Sequence, residues 1–281
     1  MTLPALTTSR TPRRIPRAGV WAATLFIAVV AVLAVAPGLV THGSPNDADA
    51  LAALQPPGGV HLLGTDANGR DVFTRVVFGA RPSLLAGLGA TALAVAVGSV
   101  LGLLAALGGR LLDEVTMRFV DVLLSLPGLL LALLVITVVG RGTFNAILAI
   151  AAYTLPSYAR LVRAQTLLIR RSGYVEAATS LGLTPGRIVL RHILPNAFAP
   201  LLVVATIEVG TALVAAASLS FLGLGPQPPA PEWGAMLSQG REYFSVAWWM
   251  AVFPGLAITL TVLSVTVAGR HLQRRVEGRL T

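Results

Sequence analysis

The sequence predicts an all-α membrane protein with six transmembrane helices, and three observations support this fold class. Of its 281 residues, 55% are hydrophobic and 12% are charged, whereas about a quarter of the residues of a soluble domain are charged. Six windows have the roughly 20 apolar residues that a helix needs to cross a hydrocarbon core of about 30 Å. Glycine and alanine are dense in these windows, and small residues let helices pack closely in lipid. The windows are residues 20–40, 83–107, 119–139, 143–161, 198–222 and 246–268.

The arginines predict the orientation of these spans. The chain has 21 arginines and no lysine, and positively charged flanks stay in the cytoplasm. With the N-terminus inside, 16 arginines are cytoplasmic and five lie outside, so both termini are predicted to be cytoplasmic. One alternative stays open, because the arginines of residues 10–17, the apolar run after them and the small residues 34–36 also resemble a cleaved secretory signal.

The residue types that the chain lacks exclude several kinds of site. Without lysine it has neither a Walker A phosphate loop nor a Schiff-base lysine. Without cysteine it has no disulfide, no thiolate metal site and no thiol nucleophile. Its four histidines are too far apart in sequence for a local metal motif. The sequence therefore predicts no catalytic residue, no metal site and no cofactor in this chain.

Three connections between the spans are long: residues 41–82 outside, 162–197 inside and 223–245 outside. Function is expected to concentrate in them. In the first, residues 72–78 are predicted to form a short interfacial helix that leads into the second span. The third is predicted to be rigid and rich in turns, and Trp233, Trp248 and Trp249 are interpreted as anchors at the membrane interface.

The cytoplasmic connection is predicted to hold two short helices. Ser172 is positioned to cap a helix that ends near Leu181, Gly182 provides a left-handed stop, and Thr184 begins a second helix towards Leu194 and Pro195. This pattern is also typical of a helix-turn-helix that binds nucleic acid. A segment tied to membrane spans at both ends has poor access to a duplex groove, so we expect a protein docking site and no nucleic acid.

The same residues resemble a known signature of the inner-membrane permeases of ABC importers. That signature is Glu-Ala-Ala, three residues, Gly, nine residues, then Ile-x-Leu-Pro. The matching positions are Glu176, Ala177, Ala178, Gly182, Leu194 and Pro195, and His192 holds the place of the isoleucine. Two further stretches are similar to the second permease type of dipeptide, oligopeptide and nickel systems. They are Gly64-Thr65-Asp66 with Gly69-Arg70-Asp71 in the external loop, and Ser220-Phe221-Leu222-Gly223-Leu224-Gly225.

The resemblance implies the fold of a type I ABC importer transmembrane domain. It divides the chain into residues 1–82 (cytoplasmic tail, first span and external loop), residues 83–270 (permease domain) and residues 271–281 (cytoplasmic tail). It also implies a multi-pass protein of the cell inner membrane that is not an enzyme and that forms half of a pathway for peptides, nickel or a similar small solute.

The partners that the resemblance implies supply what this chain lacks. They are a second homologous permease, two ABC ATPases that bind ATP and magnesium, and an extracytoplasmic solute-binding protein. The helix from Glu176 to Gly182 would couple this chain to an ATPase, and its movement would switch the bundle between inward and outward access.

Two other functions compete with this one. A secondary transporter would bind a coupling ion at an acid within a span, and Glu208 is the clearest acid of that kind. Glu208 is expected to face the translocation path or a contact between permeases, and a packing role stays open. A membrane hydrolase is disfavoured because no Ser/His/Asp set or zinc-ligand pair lies at compatible depths. The solute itself is not encoded in a recognisable motif, and peptide is favoured over nickel.

Overall fold

The computed structural model describes residues 17–277, with the side chains of residues 18–198 and 200–275. Over that range the chain forms ten α-helices, two short 3-10 turns and no β-strand. An isolated antiparallel bridge joins Thr65 and Asp71. The helices are α1 (Arg17–Val35), α2 (Val72–Leu107), α3 (Arg110–Leu124), α4 (Gly128–Val139), α5 (Thr143–Arg170), α6 (Gly173–Ser180), α7 (Pro185–Ile188), α8 (Leu194–Phe221), α9 (Trp233–Glu242) and α10 (Trp249–Glu277).

Among the described residues, four helical segments are long and apolar enough to cross a membrane by themselves. They are α1, α2, the continuous segment Pro185–Phe221 and α10. A fifth span results if α3 and α4 are taken together. The remaining predicted window lies in α5, which has 28 residues but is not apolar enough to meet the same test. The prediction that α5 also crosses the membrane therefore stays a prediction.

The third predicted span, residues 119–139, is wrong as a single helix. α3 ends at Leu124, α4 begins at Gly128, and the two axes differ by 96°. Pro127 explains the break, because proline has no N–H to donate and disfavours a helical backbone at the residue before it. The span is therefore either broken or re-entrant.

Small residues bring α2 against α5 at the centre of the bundle, as the glycine and alanine pattern predicts. Ala90 and Ala94 of α2 are fully buried. A Cβ atom at Gly98 would lie 2.8 Å from the Cβ of Tyr158, and one at Gly102 would lie 2.5 Å from the Ala159 carbonyl oxygen. Larger residues at these positions would force the two helices apart.

Polar contacts divide the bundle into two ends. At the basic end, Arg163 binds Asp113 with N–O distances of 2.5 and 2.6 Å, and Arg170 donates to the Ala106 carbonyl at 2.6 Å. These bonds join the end of α2, the start of α3 and the end of α5. At the capped end, residues 41–71 and 223–248 pack over the starts of α2 and α10. The first and third long connections thus share one end, and α6 lies at the other.

Two helices that were predicted to be short are parts of longer ones. Residues 72–78 are the first turns of α2, which continues through Pro82 for 36 residues. After Gly182, α7 passes through a π-helical turn at Val189–Ile193 directly into α8. Leu194 and Pro195 therefore begin the long helix rather than end a short one. In the third connection, the predicted turn-rich stretch precedes Trp233, and α9 follows it from Trp233 to Glu242.

Candidate functional site

The external motif around Asp66 forms a tight turn at the capped end. Asp66 is 4% exposed, and its Oδ1 accepts hydrogen bonds from the Asn68 and Arg70 amides at 2.8 and 2.9 Å. Gly69 has φ +73°, and a Cβ atom there would overlap the carbonyl oxygen of Asp49. The motif therefore needs glycine for both its backbone conformation and its close approach to the preceding segment.

The two ends of this motif join the preceding part of the external connection to α2. The Oδ2 atom of Asp71 caps α2 by accepting from the Thr74 amide at 2.8 Å, and the Gly64 carbonyl accepts from the first amide of the helix at 3.0 Å. Thr65 is fully buried, and its hydroxyl donates to the Ala52 carbonyl at 2.5 Å. The predicted motif residues are thus brought together, in a structural cap.

Two of the three tryptophans were wrongly interpreted as interface anchors. Trp233 is 2% exposed and donates its indole N–H to the Val76 carbonyl at 2.8 Å. Trp249 is 5% exposed and donates to the Thr65 carbonyl at 3.0 Å. Their rings hold the third connection and α10 against the first connection and α2. Trp248, at 48% exposed, is the one whose surface fits an anchor.

Arg75 carries a buried charge. The sequence placed it in an external loop and gave no indication that it would be buried. It is 1% exposed, its Nε lies 3.6 Å from Asp66 Oδ2, and its Nη1 donates to the Pro45 and Pro229 carbonyls at 3.0 and 3.3 Å. It therefore ties together the first connection, α2 and the third connection. Its neighbours on α2, Val72 and Gly79, are buried with it.

Glu232 is the second buried charge that the sequence prediction missed. It is 3% exposed and caps α9, accepting from the Gly234 and Ala235 amides at 2.9 and 2.8 Å. The Ser83 hydroxyl of α2 also donates to it at 3.2 Å. A carboxylate before a helix is favoured by the free amides of the first turn. The available signal was therefore a glutamate directly after the proline-rich stretch that ends at Pro231.

Two of the four histidines make side-chain contacts in the described part of the chain. His61 Nδ1 lies 3.1 Å from Asp71 Oδ1, and the His192 ring lies 6.3 Å from the Tyr174 ring between centroids. Among residues 17–277, no group of three or more His, Asp or Glu side chains is placed to hold a metal ion.

α6 ends as the sequence predicts, at a glycine with a left-handed backbone. Gly182 has φ +80°, its amide donates to the Thr179 carbonyl at 2.9 Å, and the Leu183 amide donates to the Ala178 carbonyl at 3.2 Å. These two bonds form a Schellman motif, in which glycine carries no steric penalty. Nothing lies within 4 Å of a Cβ atom built on Gly182, so this turn is open to a partner.

The two predicted caps of this segment occupy the expected positions but do not use their side chains. Ser172 and Thr184 precede α6 and α7 with extended backbones, and neither makes a side-chain cap bond. The Ser172 hydroxyl donates instead to the Ile169 carbonyl at 2.6 Å. The helix starts are therefore set by backbone conformation, and at α7 by Pro185.

The signature residues of this segment divide between an inner and an outer face. Ala178 is buried with Val175 against Ile188 and Ile193, and its small side chain permits that approach. On the outer face, Leu181 is 80% and Tyr174 46% exposed. The signature residues that remain open to solvent are Glu176, Ala177, Gly182 and Pro195, whereas Leu194 is half-buried.

Glu208 lies on α8 beside a cavity of about 150 Å³ between α8 and α5. The cavity is lined by Tyr153, Thr154, Ser157, Tyr158, Leu161, Val204 and Glu208. The carboxylate is half-buried and, within the described residues, accepts no hydrogen bond and forms no ion pair. An acid at this depth of a span is costly unless it meets a partner or water, so the cavity is a candidate site.

Comparisons with known proteins agree over most of the chain. The family described as "Binding-protein-dependent transport system inner membrane component" matches residues 98–278. The probable D,D-dipeptide transport system permease protein DdpC of Escherichia coli K12 is 42% identical over 250 residues, which cover 89% of this chain and 84% of that protein. The glutathione transport system permease protein GsiD of Pectobacterium atrosepticum is 40% identical over 260 residues, covering 92% and 86%.

A solved structure shares the fold. The inward-facing MetNI methionine ABC transporter aligns with a TM-score of 0.58 and 22% identity, covering 72% of this chain and 96% of the aligned chain. At that identity the likeness concerns the fold alone. It supports the predicted transmembrane architecture of a type I ABC importer.

Proposed function

The chain belongs to the family of binding-protein-dependent transport system inner membrane components, the permease subunits of ABC importers, and from this premise we propose that it forms half of the pathway of a peptide importer. The coarse function follows from membership in the family. The peptide substrate, the partner subunits and the role of each site are our proposal. Peptide is favoured because the similar proteins are described as permeases for dipeptides and glutathione.

The exposed outer face of α6 is the observation that supports coupling to an ATPase. Leu181 and Tyr174 expose apolar surface on one face of this segment, beside a glycine turn with open space around it, and a shared apolar patch of this kind is what a protein partner covers. Glu176, Ala177 and Gly182 lie on this same surface, at the basic end. We assign it to an ATPase subunit, which would also bind ATP and magnesium, so this chain needs no cofactor.

The capped end is assigned to the outside of the cell, where the solute-binding protein delivers its load. Buried charges and indole bonds tie the connections of this end together, and pre-organised interfaces of this kind change little when a partner binds. α1 is proposed to remain in the mature chain, because Ala23 and Val30 are buried and Val30 packs into the same cluster as Met250 of α10. Both termini would then be cytoplasmic.

The division of the chain follows the same assignment. Residues 83–270 would be the permease domain, preceded by the tail, first span and external loop of residues 1–82 and followed by a cytoplasmic tail at 271–281. The other half of the pathway would come from a second, non-identical permease.

The test is uptake of radiolabelled alanyl-alanine into vesicles that contain this chain, its second permease, two ATPases and the binding protein. Uptake should require ATP and should stop when the ATPases carry a substitution of the Walker A lysine. Uptake that continues with those ATPases and follows an ion gradient would overturn the proposal in favour of secondary transport. Uptake of nickel but not of alanyl-alanine would overturn the peptide assignment alone.

A further inference from the structure

The cavity beside Glu208 has the chemistry of a site for a cationic group. Glu208 has no hydrogen-bond or ion-pair partner in the described chain, and Tyr158, on the facing helix, is 2% exposed with a buried hydroxyl that also has no partner. Both groups line one cavity. A buried hydroxyl without a partner costs free energy, and it faces the same space as the half-buried Glu208 carboxylate, so the cavity is suited to a ligand that binds both.

The lining of the cavity offers mainly hydrogen-bond acceptors, so it favours a ligand that carries donors. The Thr154 hydroxyl already donates to the Ile150 carbonyl at 2.9 Å, which leaves its oxygen able only to accept. The Glu208 carboxylate accepts only, and hydroxyl oxygens accept as well as donate. An ammonium group carries three donors and no acceptor, and its charge is opposite to that of the carboxylate. A carboxylate ligand would be repelled here.

The two arginines that follow the cavity residues on α5 are paired with acids of α3. Arg160 lies 2.6 Å from Asp121 and Arg163 lies 2.5 Å from Asp113, both at the basic end. The Cβ atom of Tyr158 packs against Gly98 of α2. The lining thus presents a buried hydroxyl and a carboxylate without a counter-ion.

The size of the cavity limits what it holds. Its volume of about 150 Å³ corresponds to about five water molecules at roughly 30 Å³ each. This is enough for an ammonium group and the carbon that carries it, with some water. The site would therefore recognise one end of a solute while the rest lies in the pathway.

We propose that Glu208, Tyr158 and Thr154 form a transient subsite for the α-ammonium group of a peptide in transit. This inference rests on the proposed function and adds the part of the substrate that the chain itself contacts. No covalent chemistry is involved. The subsite is intrinsic to this chain and acts after the binding protein has released its load.

The first experiment compares two solutes in the reconstituted importer. Alanyl-alanine is compared with lactyl-alanine, in which a hydroxyl replaces the ammonium group, each at a concentration that saturates the binding protein. Glu208→Gln should lower transport per ATP hydrolysed at least about tenfold for alanyl-alanine, from the loss of a charge-assisted hydrogen bond, and less than about twofold for lactyl-alanine. Each variant is compared, as a ratio, with the wild type for the same solute, so differences in how well the binding protein binds the two solutes do not affect the result.

Two variants serve as comparisons. Tyr158→Phe keeps the ring and removes the hydroxyl, and should act in the same direction by a smaller factor. Glu114→Gln makes the same chemical change at an exposed position outside the cavity, and should leave both ratios near one. Equal losses for both solutes with Glu208→Gln, or no loss, would overturn the subsite.

A second experiment needs no binding protein. Ser157 lines the cavity and is exposed, and the chain has no native cysteine. Ser157→Cys should react at least about tenfold faster with a cationic methanethiosulfonate than with an anionic one, relative to the ratio at Ser180→Cys, because the carboxylate concentrates cations. Adding Glu208→Gln should abolish the preference. A preference that survives this change overturns the inference.

The outcomes also separate the subsite from the function on which it rests. ATP-dependent uptake by the wild type tests the importer, and only the dependence on the ammonium group tests Glu208. Wild-type uptake that requires sodium would assign the cavity to a coupling ion and overturn the subsite. Loss of assembly with the second permease in Glu208→Gln would assign the carboxylate to that interface instead.

Discussion

At the scale of single residues, Gly182 is the position where backbone geometry and partner docking coincide. Its φ of +80° completes the Schellman motif of α6, and its Cα faces open space. Gly223 ends α8 in the same way, with φ +77°, the same pair of backbone bonds and the same open surroundings. The two glycines lie on opposite ends of the bundle, so they form a natural control pair.

We predict that Gly182→Val weakens ATPase binding while membrane insertion and pairing with the second permease persist. A branched residue with positive φ is strained by more than about 1 kcal/mol, which alone lowers affinity roughly fivefold if docking needs this turn. The measurement is ATPase co-purification and transport per ATP hydrolysed. Glu176→Ala should act in the same direction but more weakly, because it removes a side-chain contact rather than a backbone conformation.

Gly223→Val is the control for backbone strain. It should lower thermal stability to a similar extent but leave ATPase co-purification unchanged. If both variants reduce ATPase binding equally, strain rather than docking explains the effect. Normal ATPase binding and coupling in Gly182→Val would remove the coupling assignment of α6.

At the scale of elements, the capped end shows how two connections become one rigid layer. α9 starts at Glu232, whose carboxylate bonds to its own helix and to Ser83 of α2. Trp249, at the start of α10, donates to Thr65. The bonds from Ser83 to Glu232 and from Trp249 to Thr65 join segments far apart in sequence, so the external motif is held by its neighbours rather than by its own turn alone.

We predict that Trp249→Phe destabilises the protein more than Trp248→Phe. The first removes a buried donor and leaves the Thr65 carbonyl unsatisfied, at a cost of about 1–3 kcal/mol. The second changes a half-exposed ring that fits the membrane interface. Thermal unfolding in detergent measures both, and a larger loss for Trp248→Phe would restore the anchor interpretation of Trp249.

At the scale of the whole molecule, the contacts put the first and third connections at one end and α6 at the other. The exposed Ser44 and Ser180 mark these two ends. Together with the arginine distribution, this arrangement assigns the capped end to the outside and the basic end to the cytoplasm.

We predict that cysteines at Ser44 and Ser180 react from opposite sides of the membrane. In intact cells an impermeant thiol reagent should label Ser44→Cys and spare Ser180→Cys, and inside-out vesicles should reverse the pattern. An N-terminal tag should remain on the mature chain, because α1 is retained. Labelling of both cysteines from one side, or loss of the tag, contradicts this topology.

We also predict that the chain works only beside a non-identical permease. Purified with the ATPases alone, it should show no solute-stimulated ATP hydrolysis, because half of the pathway is missing. Addition of the second permease should restore stimulation. Transport by a complex with two copies of this chain and no other permease contradicts the heterodimer.

The sequence by itself determined the features that depend on local composition and backbone preference. Apolar windows marked the long helices because lipid admits few other structures. Gly182 was predicted as a left-handed stop because few other residues take that conformation at low cost. The density of small residues predicted a closely packed bundle, and the structure shows that α2 and α5 make the close contact. Pro127 indicates the break between α3 and α4, but the apolar composition of residues 119–139 led to their prediction as one span.

Tertiary structure alone decided which polar groups meet. Trp249 finds its acceptor 184 residues away and Trp233 finds its acceptor 157 residues away, so no local pattern distinguishes them from interface anchors. The burial of Arg75 and Glu232 and the cavity shared by Glu208 and Tyr158 have the same origin. Side-chain type follows from the sequence, but burial and partners depend on how distant segments pack, and in this chain that packing decides which charges are structural and which are left for a ligand.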